Sequence, residues 1–497
     1  MTAPNRSNLD RRGFLRSGGA ALAAAWGAGA AGAARALAPA GDAAGETAAR
    51  PNVLFLVIED CSPIRFGCYG NKVCRTPNLD RLAASAVTFD AAHTVPPCGP
   101  SRTALLTGRR PTTTRVFGNF DRAIADEFFA AHPILPEIFK DAGYDAIKIG
   151  KFGHYDKNSA WTEIVRANDE LGTPKPPLKP ARGPAAKEGA KVIGNGFTYG
   201  PTGLDDADEV DGRMAELAIR RLKAPREKPF FLAVGFHSTH LAFRAPDKYF
   251  EMYPPSQMEV PKNPGSLPDG MPAPEQWEAI RRAYAFSAMG GNNPGTLEEW
   301  KEALAAHYAC LTFVDAQIGR ILDALEESGR AKDTVVVVWS DHGFVMGEHY
   351  TWRKGQMINE STRSALLIRA PGVTVPGARH AGPVECMDLH PTVLDLCGVP
   401  VPAGTEAFSL RPVLEHPERP WRKAALIEAE HRHTSLVTDG WRYTEYGEGP
   451  EMRAELFDEK ADPGEFVNLA ADLAYAAKRG ELKALLHGGW KAAGPAS

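Results

Sequence analysis

Four short runs of mainly apolar residues recur along the chain, and each run ends at polar residues. The runs span residues 53–58, 145–150, 230–236 and 335–339. Runs of this kind are typical of strands that are buried on both faces of a sheet. Segments with helical periodicity lie between them, at residues 76–89, 134–143, 212–224 and 297–329. This alternation predicts an α/β fold in which helices sandwich a large, mostly parallel sheet.

Polar residues with chemically useful side chains follow each apolar run. They are Glu59, Asp60, Lys151, His154, His237, His240, Asp341 and His342. In open α/β sheets, ligands bind beyond the carboxyl ends of the strands. A single such residue at a strand end is commonly a turn residue, but four groups at equivalent ends predict one shared site.

The rest of the chain divides by composition. Residues 157–206 and 245–275 are rich in proline and predict irregular loops. Such loops are interpreted equally well as substrate-binding lids or as solvated surface insertions. Beyond residue 400 strand-like segments precede a terminal helix from about Tyr475. We therefore predict a leader and linker at residues 1–45, a main domain at 50–400 and a smaller α+β subdomain at 401–497.

Composition and charge narrow the range of partners. The 497 residues are 43% hydrophobic and 24% charged, and the formal net charge is −4. These values are ordinary for a globular protein, and they argue against nucleic acid or an anionic membrane surface as a partner. An anionic substrate would therefore be recognised by a local basic cluster.

The N-terminus predicts export. The sequence Arg11-Arg12-Gly13-Phe14-Leu15 precedes an Ala/Gly stretch at residues 18–34, which is typical of a twin-arginine signal. The alternative is an Ala-rich tail with an accidental arginine pair. Glycines and Arg35 interrupt the stretch and argue against a stable membrane anchor. We expect a periplasmic or extracellular protein.

One cysteine has an unusual setting. Cys98 follows two prolines and precedes a helical pattern that ends at Gly108, so its thiol is predicted near a helix N-terminus, with Arg102 on the same helix face. The chain has seven cysteines but no CxxC motif, which argues against a metal held by thiolates. A thiol protease would also need a histidine base and an orienting amide, and the sequence singles out no such set.

The same segment resembles the signature of the type I sulfatases of the alkaline phosphatase superfamily. That signature is Cys-x-Pro-Ser-Arg followed by Thr-Gly-Arg, and this chain has CGPSR at residues 98–102 and TGR at 107–109. The motifs GCYG, GKFGH, FHSTHLAFRAP and SDHGFVMGEHYTWRK resemble the iduronate-2-sulfatase type in particular. The resemblance implies that residues 50–400 are a sulfatase catalytic domain and that a formylglycine-generating enzyme oxidises Cys98 to formylglycine.

The resemblance also implies roles for the strand-end residues. One divalent ion, Ca²⁺, would be held by Glu59, Asp60, Asp341, His342 and residue 98. Arg102, Lys151 and Lys354 would place positive charge on the nucleophile and the sulfate, His154 would act as the base, and His240 would be the general acid. Two positions depart from the family pattern, because Glu59 replaces a usual aspartate and His342 a frequent asparagine.

The implied activity is hydrolysis of sulfate esters on sulfated saccharides. We expect exolytic action, with a 2-O-sulfated uronic acid at the end of a glycosaminoglycan-like chain as the leading substrate and with Arg353 and Arg244 available for its carboxylate. Other sulfated polysaccharides, from algae, are the alternative substrates. His237 and His349 match motif positions and are equally well interpreted as local structural histidines. Two alternatives remain open: a phosphodiesterase or phosphonate monoester hydrolase of the same superfamily, and a sulfated-glycan-binding protein that has lost turnover.

Overall fold

The structure is a computed structural model that describes residues 50–171, 191–193, 197–262, 297–429, 433–447 and 452–495. The predicted export signal and parts of both irregular stretches lie outside the described residues.

A sheet of eight strands forms the centre of the fold. In spatial order its strands are β13 (Arg379–Glu385), β2 (Val87–His93), β12 (Leu366–Arg369), β9 (Thr334–Ser340), β1 (Asn52–Ile58), β7 (Phe230–Gly235), β3 (Asp145–Gly150) and β4 (Glu163–Val165). Only the two pairings of β12 in this sheet are antiparallel. The prediction of a large, mostly parallel sheet is therefore confirmed.

Strand β1 lies between β9 and β7 and is buried on both faces. Leu54 and Leu56 pack into one core layer, whereas Val53 and Phe55 pack into the other. Successive side chains of a strand point to opposite faces, so an uninterrupted apolar run fits a sheet that is covered on both sides.

Helices cover the two faces. Their bounds are α1 (Pro77–Ala83), α2 (Cys98–Thr107), α3 (Pro111–Thr114), α4 (Arg122–Ala131), α5 (Leu135–Asp141), α6 (Ala167–Leu171), α7 (Val210–Lys223), α8 (Asp247–Glu251), α9 (Leu297–Glu327), α10 (Asn359–Thr362), α11 (Leu389–Leu396), α12 (Arg411–Glu415), α13 (Ala476–His487) and α14 (Gly489–Ala493). Apolar residues of α1, α7 and α9 join one core layer, and those of α2, α4, α5 and α11 join the other. Within the described residues, no helix is both long and apolar enough to cross a bilayer.

Smaller sheets complete the fold. They comprise β5 (Lys191–Ile193), β6 (Phe197–Pro201) and β8 (Phe243–Ala245) in one sheet, β10 (Val345–Met346) and β11 (Trp352–Arg353) in another, and β14 (Ala425–Ala429), β15 (His433–Val437), β16 (Trp441–Tyr446) and β17 (Arg453–Asp458) in a third. The last sheet and α13 form the smaller C-terminal subdomain. All seven cysteines lie within the described residues and are free thiols.

One helix is shorter than the periodicity of its sequence predicts. Helical periodicity covers residues 76–89, but α1 ends at Ala83 and β2 begins at Val87. The β-branched residues Val87 and Thr88 favour a strand, and β12 and β13 are the strands with which β2 pairs.

Candidate active site

Four adjacent parallel strands bring the predicted polar residues to one edge of the sheet. Strands β9, β1, β7 and β3 are neighbours in that order. Beyond their carboxyl ends, Asp341 and His342 follow β9, and Glu59 and Asp60 follow β1. His237 and His240 follow β7, and Lys151 follows β3. The edge predicted from the sequence is therefore the edge at which these side chains meet.

Cys98 is the first residue of α2 and lies inside this cluster. Its Sγ is 3.1 Å from Nζ of Lys354, 3.2 Å from Nε2 of His342 and 3.7 Å from Oδ1 of Asp60. The residue is only 1% exposed. Burial raises the pKa of the Cys98 thiol well above its usual range, although the charge of Lys354 opposes the shift. An unmodified Cys98 is therefore a protonated thiol at neutral pH, which disfavours thiolate chemistry.

Lys354 and Asp60 form a buried ion pair beside Cys98. Nζ of Lys354 lies 2.6 and 2.7 Å from the two carboxylate oxygens of Asp60. Burial alone would lower the pKa of Lys354, but the acidic groups around it, Asp60 foremost, together outweigh burial and the net shift is upward. Lys354 therefore remains charged within contact distance of Cys98.

A second buried pair links the helix of Cys98 to the sheet. Nε of Arg102 donates to Oδ2 of Asp341 at 2.9 Å, and its Nη1 donates to the backbone carbonyls of Lys151 and Phe152. Burial opposes ionisation of Asp341, yet the surrounding positive charges, Arg102 foremost, together outweigh burial and hold the pKa of Asp341 well below its usual range. Arg102 is thus occupied in fixing Asp341 and the end of β3.

Four side chains form a group with the donors that a cation needs. One ligand atom from each of Asp60, Cys98, Asp341 and His342 lies within 4.8 Å of the others. Nδ1 of His342 lies 2.8 Å from the carbonyl of Gly343, so it carries the hydrogen and leaves the Nε2 lone pair directed at Cys98. Burial lowers the pKa of His342, which keeps the imidazole neutral and able to bind a metal.

Glu59 also lies beside Cys98, with its Oε1 3.9 Å from the Sγ atom, and makes further contacts. Its carboxylate forms an ion pair with Lys151 and lies 3.4 Å from Nδ1 of His237. With Asp60 and His240 it forms a second, overlapping group of potential metal ligands. The carboxylate of Glu59 thus lies between Cys98, Lys151 and His237.

His154 and His240 both lie at the cluster in defined orientations. Nε2 of His154 lies 3.2 Å from the carbonyl of Asn119, and burial, with Lys151 adding to it, lowers the pKa of His154 to about 4. Nδ1 of His240 donates to the carbonyl of Leu241 at 2.6 Å, and its Nε2 is 3.8 Å from Oδ2 of Asp60. Burial lowers the pKa of His240 as well.

Sequence reasoning missed Asn119. It follows Gly118 in a tight turn, and its side-chain oxygen accepts the backbone N–H of Gly99 at 2.7 Å. A Gly-Asn pair is an ordinary turn signal, so the sequence offered no sign of a contact with the segment after Cys98.

The remaining motif residues fall in different places. Arg353 directly precedes Lys354; burial lowers the pKa of its guanidinium and the charge of Asp60 opposes that shift. Arg244 lies in β8, where its charge acts on Glu209. His349 forms a separate buried group with Glu360 and Glu465 and does not join the four residues around Cys98.

Comparison with known proteins identifies the family. The family model described as Sulfatase matches residues 51–399. The chain belongs to the sulfatase family. It is therefore a sulfuric ester hydrolase, as its sequence signature predicts. A second family model, described as N-sulphoglucosamine sulphohydrolase, C-terminal, matches residues 347–490 of this sulfatase.

Individual relatives agree with this assignment. A protein of Formosa agariphila named Sulfatase is 33% identical over 450 residues, which cover 88% of this sulfatase and 86% of the relative. Iduronate 2-sulfatase of Homo sapiens is 30% identical over 398 residues, covering 71% and 70% of the two chains. The crystal structure of a phosphonate monoester hydrolase of Agrobacterium radiobacter is similar in fold, with a TM-score of 0.73, 24% identity and coverage of 88% of this chain and 95% of the other.

The buried pair of Arg102 and Asp341 leads to a stability prediction. Arg102→Met should lower the free energy of unfolding by about 3–5 kcal/mol, because it leaves Asp341 as an unpaired buried charge. Adding Asp341→Leu should recover part of this loss. Urea unfolding measures both effects, and Arg81→Met, which breaks an exposed pair with Asp323, is the control with an expected change below about 1 kcal/mol. Equal stability of the Arg102→Met and Arg81→Met variants would contradict the prediction.

Proposed function

We propose that this sulfatase hydrolyses sulfate esters of sulfated saccharides at the cluster around residue 98. The observation that carries the proposal is the position of Cys98, which is the first residue of the CGPSR signature and contacts Lys354, His342 and Asp60 at the carboxyl edge of the sheet. A buried, protonated thiol is a poor nucleophile, and this favours a residue 98 that is chemically converted before use.

The conversion is oxidation of Cys98 to formylglycine by a formylglycine-generating enzyme. One hydroxyl of the hydrated aldehyde would attack sulfur and displace the alcohol of the ester, and deprotonation of the second hydroxyl would then expel sulfate and restore the aldehyde. A serine or an unmodified cysteine at this position would be left as a stable sulfated adduct.

The residues around position 98 fit a divalent ion. Asp60 and Asp341 offer carboxylate oxygens and His342 offers a neutral nitrogen, all within 4.8 Å of residue 98. A converted residue 98 would add oxygen in place of sulfur, and an oxygen-rich set favours Ca²⁺. Glu59 completes the proposed set from the side of Lys151. When bound, the ion lowers the pKa of a hydroxyl and offsets negative charge on the sulfate.

The other side chains divide the remaining tasks. Lys151 and Lys354 supply positive charge at the nucleophile and the sulfate, and Arg102 acts with them while it holds Asp341. His154 is the base, because burial keeps its imidazole neutral at pH 7. His240 is the general acid for the leaving oxygen, and a bound sulfate favours its charged form by bringing negative charge close to the ring.

Charge balance supports a substrate with a second anionic group. The cluster has three acidic and three basic side chains, so their formal charges sum to zero. The acidic residues are Glu59, Asp60 and Asp341, and the basic residues are Arg102, Lys151 and Lys354. A divalent ion would leave two positive charges and Arg353 adds a third, whereas a sulfate ester carries only one negative charge, so a carboxylate as a second anionic group of the substrate is favoured. Arg353 lies beside Lys354 and is suited to bind it. Together with the similarity to iduronate 2-sulfatase, this favours exolytic action on a terminal 2-O-sulfated uronic acid.

The N-terminal sequence supports export by the twin-arginine route. This route carries folded proteins, so formylglycine and the ion would be in place before transport. The mature enzyme would then act in the periplasm or outside the cell.

The first prediction from the proposed function concerns conversion of residue 98. Peptide mapping by mass spectrometry should find formylglycine at this position, and Cys98→Ala should abolish sulfate release while leaving the circular dichroism spectrum unchanged, because only the nucleophile is lost. Full activity from protein that carries only unmodified cysteine would contradict the mechanism.

Metal content provides a second prediction. Elemental analysis of the purified enzyme should find about one calcium ion per chain, and Asp60→Asn or Asp341→Asn should lower this content, because each removes a charged ligand. Asp323→Asn, at an exposed carboxylate, is the control and should retain the ion. The assignment is wrong if the calcium content of both site variants equals that of the control.

Substrate choice is tested with defined saccharides. Sulfate release should be faster from a terminal 2-O-sulfated uronic acid than from its carboxyl-reduced analogue, from the same unit inside a chain, or from a phosphonate monoester. Arg353→Met should raise KM for the uronic acid and not for the reduced analogue, because only the former offers a carboxylate. Equal hydrolysis of the acid and the reduced analogue would exclude carboxylate recognition, and preference for the phosphonate would favour the other class of hydrolase.

Export is tested by replacing Arg11 and Arg12 with lysine. The uncleaved precursor should accumulate in the cytoplasm, because the twin-arginine machinery reads the arginine pair. Fractionation with immunoblotting measures the distribution, and replacement of Arg35, outside the pair, is the control. Normal export of the double-lysine variant would refute this route.

A further inference from the structure

The helix that begins at Cys98 is capped by a residue outside it. The first backbone N–H groups of a helix have no partner within the helix, and a Ser, Thr, Asp or Asn before the helix usually accepts one of them. Pro97 holds that position here and has no side-chain acceptor. Instead, Oδ1 of Asn119 accepts the N–H of Gly99 at 2.7 Å. The cap of the Cys98 helix is therefore provided by a turn that follows 20 residues later.

This turn is held firmly. Oδ2 of Asp121 accepts the N–H groups of Phe117 and Gly118, both at 2.8 Å. The hydroxyl of Tyr155 donates to the carbonyl of Gly118 at 2.7 Å and accepts the N–H of Asp121 at 3.0 Å. Asn119 is thus presented by a braced segment, which gives its side chain little freedom to move.

The contact with the Cys98 helix is close. A Cβ atom added at Gly99 would collide with the carbonyl oxygen of Gly118 and reach 3.0 Å from Oδ1 of Asn119. A Cβ added at Gly118 would meet no atom closer than 3.7 Å. The helix start and the turn therefore fit together only because residue 99 has no side chain.

The backbone of Asn119 also orients His154. Its carbonyl oxygen lies 3.2 Å from Nε2 of the imidazole. A carbonyl can only accept, so Nε2 must carry the hydrogen and the neutral ring keeps its lone pair on Nδ1. Nδ1 is buried and has no hydrogen-bond partner among the described residues. Nδ1 is thus the nitrogen left to accept a proton.

We propose that Asn119 is a positioning residue that acts on both residue 98 and His154. Its side chain caps the helix that carries residue 98, and its backbone carbonyl selects the tautomer in which Nδ1 of His154 is the proton acceptor. The inference rests on the proposed function only in treating residue 98 as the nucleophile and His154 as the base.

Two substitutions of Asn119 separate positioning from a general structural role. Asn119→Ala removes the cap and should lower kcat on the order of 10- to 100-fold, with KM little changed and formylglycine content equal to wild type. Asn119→Asp keeps an acceptor and adds negative charge next to residue 98, where the proposed function places the sulfate, so it should restore most of kcat and raise KM. Wild-type kcat in Asn119→Ala, or equal kcat losses in the two variants, would overturn the proposal.

The close contact of Gly99 with Gly118 can be tested with one alanine variant at each glycine. Gly99→Ala should lower kcat, because its Cβ forces the turn away from the helix, whereas Gly118→Ala should keep wild-type turnover. Peptide mass spectrometry on both variants establishes that residue 98 is converted, so that kcat is compared per formylglycine. Equal turnover per formylglycine in the two variants would count against the close contact.

The tautomer of His154 can be measured without turnover. Ring ¹⁵N chemical shifts of histidine-labelled enzyme, with His154→Ala to assign the signal, should give the pattern of a neutral ring protonated at Nε2. A ring protonated at Nδ1 would overturn the proposal. This measurement requires no sulfate release, so it tests the inference independently of the proposed function. Failure of the proposed function would be seen separately, as wild-type enzyme that lacks formylglycine or sulfatase activity.

Discussion

The buried ion pair of Arg102 and Asp341 is the interaction on which the site depends. Asp341 follows β9 and its Oδ1 also accepts the backbone N–H of Asp60, at the end of β1. Arg102 lies in the helix of Cys98 and donates to the carbonyl of Lys151, at the end of β3. Both side chains are fully buried, so each charge requires the other. The pair therefore joins three strand ends and the helix of residue 98 into one rigid unit.

The same burial decides the chemistry of residue 98. The low dielectric of the pocket strengthens the ion pair of Asp60 and Lys354. It also raises the pKa of the Cys98 thiol, so a pocket that stabilises this ion pair does not also produce a reactive thiolate at residue 98. A neutral hydroxyl nucleophile avoids this conflict, because its proton can leave for a nearby base when the substrate is bound. Such a pocket suits a converted residue better than a cysteine.

Much of this arrangement could be predicted from the sequence. The apolar run of β1 is followed by Glu59 and Asp60, and the similar run of β9 is followed by Asp341. These patterns predict the sheet edge at which the side chains meet, because strand period and burial are local properties. The antiparallel strand β12 and the shift from helix to strand at Val87 depend on pairing partners distant in sequence. The contact of Asn119 with Gly99 was missed for the same reason, since a cap supplied from another segment leaves no local pattern.

The position of Lys354 also depends on the C-terminal subdomain, through the backbone conformation of the residues before it. His349 and Arg353 have positive φ values of 53° and 77°, which are costly for residues with side chains and persist only where surrounding contacts hold them. His349 is held in the buried group with Glu360 and Glu465. Glu465 belongs to the C-terminal subdomain and also accepts the backbone N–H of Asn359. The strained segment that brings Lys354 to Cys98 is thus braced from outside the main sheet, through contacts of Glu465 in the C-terminal subdomain.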